Sequence, residues 1–206
     1  MANRKHWEKQ YEKPLKEIPW EIEKPPKELV RVLQRGLVKP CKALDVACGT
    51  GNYSLFLAKK RFRVTGIDLS RNALRIARKK AESAKQKIRF AHADVFSLAS
   101  VLHQKFDFIL DYSLLHHLPR SKTRTYAKQL IRLLNPGGKL LLVCYSEKDS
   151  KGKKTKQGEH GNLMYYRTKR EIEDGYKPLE LFEYAPVKLG KRQHHRAHFF
   201  LFKKPL

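Results

Sequence analysis

The sequence predicts an α/β protein built on a doubly wound, mostly parallel seven-stranded sheet with helices on both faces, and three observations carry that prediction. Short apolar runs alternate with amphipathic segments through most of the chain, the rhythm of repeated βαβ units. Runs such as Phe106-Asp-Phe-Ile-Leu110 are nearly continuous in hydrophobicity, as strands covered on both faces must be. Near the C-terminus two strand-like runs follow one another with no helix between them, which predicts a closing antiparallel hairpin.

Taken in order, residues 1–40 are polar, punctuated by proline, and without a strand pattern. A strand is expected at 43–47, a helix at 52–60, a strand at 63–67, a helix at 71–84, a strand at 88–92 and a short helix near 97–103. Strand 106–111, helix 121–134 and strand 139–145 complete the alternation. Glu147 to Gly161 is lysine-rich and glycine-punctuated, which reads as a long mobile loop. A helix near 168–177 precedes the strands of the hairpin, 180–187 and 196–203. No repeat or linker divides the chain, and 206 residues suit one domain over 1–206 with a sizeable core.

Composition narrows the setting. No apolar run approaches the roughly 20 residues that span a bilayer, so no membrane partner is expected. The first ten residues are polar and charged, unlike a secretory signal. Cys41, Cys48 and Cys144 form no C-x-x-C pair and lie in or beside strands, where a thiol behaves as a small hydrophobe; a reducing cytoplasm is the expected location. The net charge of +25 admits a nucleic-acid partner or an anionic substrate. The basic residues are spread over Lys59–Arg63, Arg71–Lys87, Arg120–Arg124 and Lys148–Lys156, with no interleaved aromatic-basic RNA motif, so a lysine-rich surface is the plainer reading.

The first strand runs into Cys48-Gly-Thr-Gly51, and a helix opens at Asn52. Glycines at a strand-to-helix turn let a ligand approach the backbone closely. Ser54 stands where a dinucleotide fingerprint needs a third glycine or alanine, and no Gly-Lys-Ser/Thr follows for a P-loop. Asp45 lies four residues before Gly49; it would repel a polyphosphate and attract a sulfonium or ammonium. Asp68, Asp94 and Asp111 stand at or just beyond later strand ends, so four acids line one crevice outside the carboxyl ends of the strands. Asp68 and Asp94 can alternatively be caps of the helices that follow.

The series Leu44-Asp-Val-Ala-Cys-Gly-Thr-Gly51, Gly66-Ile-Asp-Leu69, Ala93-Asp-Val95, Phe106-Asp-Phe-Ile-Leu-Asp111 and Leu134-Asn-Pro-Gly-Gly-Lys-Leu140 resembles the class I S-adenosylmethionine-dependent methyltransferases. The resemblance implies a Rossmann-like methyltransferase fold with 41–146 as the cofactor-binding core. It implies that Asp45 holds the methionine ammonium, directly or through water, over a floor of Gly49 and Gly51. Asp68 is expected on the ribose hydroxyls, and Asp94 with Val95 on the adenine. Tyr11, Ala47, Cys48, Leu69 and Asp111 complete the expected set for S-adenosyl-L-methionine and its product S-adenosyl-L-homocysteine. Ala47 departs from the family, which usually has its first glycine there.

Trp7, Tyr11 and the Pro19-Trp20 pair either staple the N-terminal segment to the core or roof a pocket. Their spacing resembles the start of the thiopurine, thiol, halide and tellurite methyltransferases, where such a segment closes over cofactor and substrate. In Asp111-Tyr-Ser-Leu-Leu-His-His-Leu-Pro119, after the fourth strand, Tyr112 and His116 are the polar side chains expected to face the methyl group. His117 reads as a structural partner. Trp20 and Tyr145 are further candidates for the pocket wall, with core packing an equal account of Tyr145. His194-His-x-x-His198 falls in the hairpin, where alternate side chains point to opposite faces, so no metal site is expected. The expected function is methyl transfer to a small molecule, such as a soft sulfur nucleophile that needs no general base. The alternatives are an RNA or protein methyltransferase and a non-catalytic cofactor-binding module.

Overall fold

A computed structural model describes residues 4–150, 155–158, 161–190 and 194–206. Two short helices, α1 (Arg4–Gln10) and α2 (Lys27–Gln34), precede the alternating core. The core runs β1 (Lys42–Val46), α3 (Asn52–Lys59), β2 (Arg63–Asp68), α4 (Arg71–Ser83), β3 (Arg89–His92), α5 (Leu98–Val101) and β4 (Phe106–Tyr112). It continues through α6 (Thr123–Leu133) and β5 (Leu134–Tyr145). A small pair, β6 (Thr155–Gln157) and β7 (Leu163–Tyr165), leads to α7 (Lys169–Gly175) and the hairpin of β8 (Glu180–Leu189) and β9 (His195–Lys203).

The main sheet has seven strands in the order β3-β2-β1-β4-β5-β9-β8, parallel from β3 to β5 and antiparallel at β9 and β8. Strand alternation divides the core into two layers. Leu44, Val46, Ile109, Leu140 and Leu142 face α5, α6 and α7. Ala43, Phe108, Leu110, Leu141 and Val143 face α2 and α3. The helical period explains α6, which buries Tyr126, Ala127, Leu130 and Leu133 and exposes the polar positions between them. Truncating Leu130 to alanine there removes a fully buried side chain, at a cost of about 2–5 kcal/mol.

Caps set the helix starts that matter for the site. Ser70 caps α4 by accepting from Ala73 N, and Thr168 with Glu171 forms a capping box at α7. Two expectations need adjustment. The 147–161 segment is not wholly a loop: Glu147–Asp149 is a 3-10 turn, and Thr155–Gln157 pairs with β7; residues 151–154 and 159–160 lie outside the described residues. The fifth strand, expected at 139–145, begins earlier: Asn135-Pro-Gly-Gly138 belongs to the irregular start of β5, because Leu134 already pairs with Phe106 and Gly137 N donates to Lys204 O. No helix among the described residues is long and apolar enough to cross a membrane.

Candidate cofactor and acceptor site

After β3 the chain crosses back over β2 and β1 to β4, so the connections diverge between β1 and β4, where Val46 lies beside Asp111. A crevice outside the carboxyl ends of these strands is where open α/β sheets bind ligands. The turn after β1 is built for close approach: Gly49 and Gly51 have φ of 54° and 78°. A Cβ on Gly49 would lie 2.8 Å from Tyr11 Oη, and one on Gly51 would lie 2.9 Å from Ala77 Cβ. Ala47, at φ 55°, carries a side chain where the backbone favours glycine.

Asp45 is almost wholly buried and accepts a 2.6 Å bond from Ser54 Oγ. Burial pushes its carboxyl up to about 7; the Ser54 bond opposes the rise, and the charges of Asp68 and Asp111 add to it. A buried carboxyl raised in this way is complementary to a cationic ligand. Asp68 is held twice by backbone, accepting from Gly49 N and Ser70 N at 2.8 Å each. It thus ties the glycine turn to the start of α4, and its raised pKa comes first from burial. Asp94 accepts from Phe96 N at 2.9 Å and is partly exposed, while Val95 is buried in the core. Leu69 O lies 3.0 Å from His92 Nε2. Cys48 N donates to Ile67 O, fixing the turn, and burial pushes the Cys48 thiol well above its ordinary range. Asp111 departs from the expected ligand set: it lies on the α6 side of the sheet, fully buried, where Tyr126 Oη (2.8 Å) and Leu114 N (3.2 Å) donate to its two oxygens. Burial holds it at about 7 as well.

The N-terminal segment is clamped over this turn. Trp20 Nε1 donates to Tyr11 Oη at 3.1 Å, and Trp7 meets Trp20 edge-on at 5.5 Å. Two carboxylates anchor it. Glu8 accepts from Ser70 Oγ (2.8 Å), Arg71 N (2.9 Å) and Asn72 N (3.1 Å) at the start of α4. Glu21 accepts from Thr50 Oγ1 (2.6 Å), Asn52 Nδ2 (2.8 Å) and Lys80 Nζ (2.7 Å).

On the acceptor side the two histidines differ in their surroundings. His116 is 2% exposed, stacks on Tyr145 at 4.0 Å and 3°, and accepts from Tyr145 N at 3.3 Å. It is therefore a structural imidazole, held well below its ordinary pKa by burial. His117 instead meets Trp7 edge-on at 4.9 Å and accepts from Asn162 Nδ2 at 2.8 Å. Burial pushes it down to about 3, so it stays neutral. Tyr112 turns toward α2, donating to Glu28 Oε2 at 3.1 Å, with its ring edge-on to Tyr53 at 5.4 Å. Tyr145 is flanked by His116 and by His195 at 4.8 Å. His195 and His198 are committed to Asp149, and to Glu147 and Tyr184, respectively.

A doubly wound sheet closed by an antiparallel hairpin, with an acid-bearing glycine turn at its switch point, resembles the arrangement of the class I S-adenosylmethionine-dependent methyltransferases. Residues 43–138 match the family model described as a methyltransferase domain. A putative methyltransferase of Geobacillus sp. (strain WCH70) is 37% identical over 107 residues, 51% of this chain and 42% of that protein. A probable thiol methyltransferase 2 of Arabidopsis thaliana is 28% identical over 141 residues, 68% of this chain and 61% of that protein. The chain spans about half the length of the curated relatives it matches. In fold it resembles the Burkholderia thailandensis 1,6-didemethyltoxoflavin-N1-methyltransferase solved with its acceptor and S-adenosylhomocysteine. That match has a TM-score of 0.78 at 18% identity and covers 100% of this chain and 88% of the other.

Proposed function

We propose that this chain transfers the methyl group of S-adenosylmethionine to a small molecule that carries a soft, sulfur-type nucleophile. The observation that carries the reading is the clamped aromatic cluster: Tyr11 lies against Gly49, Trp20 donates to Tyr11 and Trp7 packs on Trp20, with Glu8 and Glu21 tying the segment to the core. A covered site excludes water and admits only an acceptor small enough to be enclosed.

When bound, the cofactor supplies an electrophilic methyl group on a sulfonium. Asp45 is the residue to hold its ammonium and Asp68 its ribose hydroxyls, through the lone pairs that Gly49 and Ser70 leave free; Asp94 and Val95 border the adenine. The protein's task is alignment of an in-line displacement. The groups beside the roof are poor bases: His117 is neutral with a pKa of about 3, and His116 is spent on Tyr145. An acceptor that ionises readily in water, as a thiol does, suits such a site better than an alcohol.

The net charge of +25 favours a second reading, an RNA or protein methyltransferase. The basic groove formed by Lys42, Arg63, Arg78, Lys87 and Arg89 weighs against it, since Lys42, Arg63 and Arg89 begin β1, β2 and β3, at the opposite end of the sheet from the crevice. Incubating the chain with radiolabelled donor and a panel of thiols, phenols, amines and RNA decides between them. Label on thiols alone supports the reading, and label on RNA alone overturns it.

A further inference from the structure

We propose that the groove between α2 and the β8–β9 hairpin is a second small-molecule site, for an anionic ligand that also carries an N–H or O–H donor. The groove encloses about 670 Å³, within the range of small-molecule pockets. Two groups on successive turns of α2 lie inside it with unmet hydrogen-bonding capacity. Glu28 is 4% exposed; one oxygen accepts from Tyr112, and the other has no partner. Arg31 lies over Phe199 at 5.0 Å and pairs with Glu183 at 2.8 Å, yet its buried Nε has no acceptor. Unmet buried polar groups of opposite kind, one acceptor and one donor, are costly unless a ligand or water meets both.

The rim supplies a third observation. Lys188 on β8 and Arg196 on β9 are register partners, so two like charges face each other across the hairpin, with Lys148 beside them. Like charges directly opposite destabilise a strand pair. The acids nearby are committed elsewhere: Glu183 to Arg31 and Arg35, Asp149 to His195 and the Arg196 backbone, Glu147 to Ser146 and His198. An anion in the groove meets Arg31 Nε, with the Lys188, Arg196 and Lys148 charges adding to the attraction, and a donor meets Glu28. Val187 and Ala197 give the α2-facing floor of the groove an apolar surface suited to a ring or short chain. Tyr112 links Glu28 to Tyr53, so the inner end abuts the cofactor turn from the α2 side, away from the Trp7–Trp20 roof.

Calorimetry on the whole chain, without cofactor, tests this independently of methyl transfer. The probe is 4-hydroxybenzoate, which has both a carboxylate and a donor; benzoate lacks the donor and phenol lacks the anion. The expected result is one saturable site for 4-hydroxybenzoate, with each comparison compound weaker by about tenfold, the size of one charge-assisted hydrogen bond. Glu28→Gln and Arg196→Glu should each weaken it similarly. Arg196→Glu should leave the melting temperature unchanged or raised, since it turns a like-charge pair into an opposite one. Arg89→Glu, in the groove at the other end of the sheet, should change nothing. No saturable binding, or equal loss in Arg89→Glu and Arg196→Glu, overturns the proposal.

Discussion

Asp45 shows how burial and chemistry work together at the level of one side chain. Its carboxyl, raised to about 7 chiefly by burial, binds more protons folded than unfolded between about pH 4 and pH 7. Stability without ligand therefore falls as pH rises through that window and levels above it. Asp45→Asn should flatten part of the fall in a urea-unfolding series, with Asp111, also near 7, and Asp68, raised by burial, contributing to the rest. Cofactor binding should show the opposite trend, tightening from pH 6 to pH 8 as Asp45 ionises, with proton release visible in buffers of different ionisation enthalpy. Asp68 does more than cap α4, since it holds Gly49 as well as Ser70. Asp68→Ala should lower both melting temperature and S-adenosylhomocysteine affinity, and an effect on only one would contradict the geometry. Ala47→Gly should stabilise the chain by about 0.5–1 kcal/mol, because alanine at positive φ is strained. These positions are legible because each motif is local in sequence. The anchors Glu8 and Glu21 are not, because their partners lie 29 to 64 residues away. The surroundings of the two histidines were hidden for another reason: adjacent residues on one short 3-10 turn cannot be told apart by period, and their partners, Tyr145 for His116 and Asn162 with Trp7 for His117, come from distant segments.

At the level of elements, the N-terminal segment is a clamp on two core helices. The Glu21–Lys80 pair is partly shielded, with side-chain exposures of 9% and 24%, so a double-mutant cycle on Glu21→Ala and Lys80→Ala should give a coupling of about 0.5–3 kcal/mol. Glu8→Ala with Glu21→Ala should speed proteolytic cutting before residue 30, and S-adenosylhomocysteine should slow it again. Protection unchanged in that variant would mean that apolar contacts alone hold the segment. The closing hairpin was readable because two alternating runs stand in succession. The β6–β7 pair was not, since Thr155–Gln157 carries no apolar alternation and gains its place from pairing with Leu163–Tyr165.

At the scale of the whole molecule, the fold puts acids and bases in different places. Forty-five lysines and arginines give the chain its net charge of +25, while Asp45 and Asp68 lie buried at the crevice. Nonspecific RNA binding is expected from that charge and should weaken steeply with salt as counterions are released. It says nothing about the reaction. Deleting residues 1–20 should abolish turnover of a small acceptor, because the roof goes with them; methyl transfer to RNA surviving that deletion would reverse the assignment of substrate class. The central claim is that the acid-lined glycine turn binds a cationic amino-acid nucleoside. Calorimetric titration of the intact chain with S-adenosylhomocysteine, NAD and ATP tests it most directly. Saturable binding of S-adenosylhomocysteine, weakened about tenfold or more by Asp45→Asn, with NAD and ATP far weaker, is the predicted result; tight binding of NAD with no response to S-adenosylhomocysteine would contradict it.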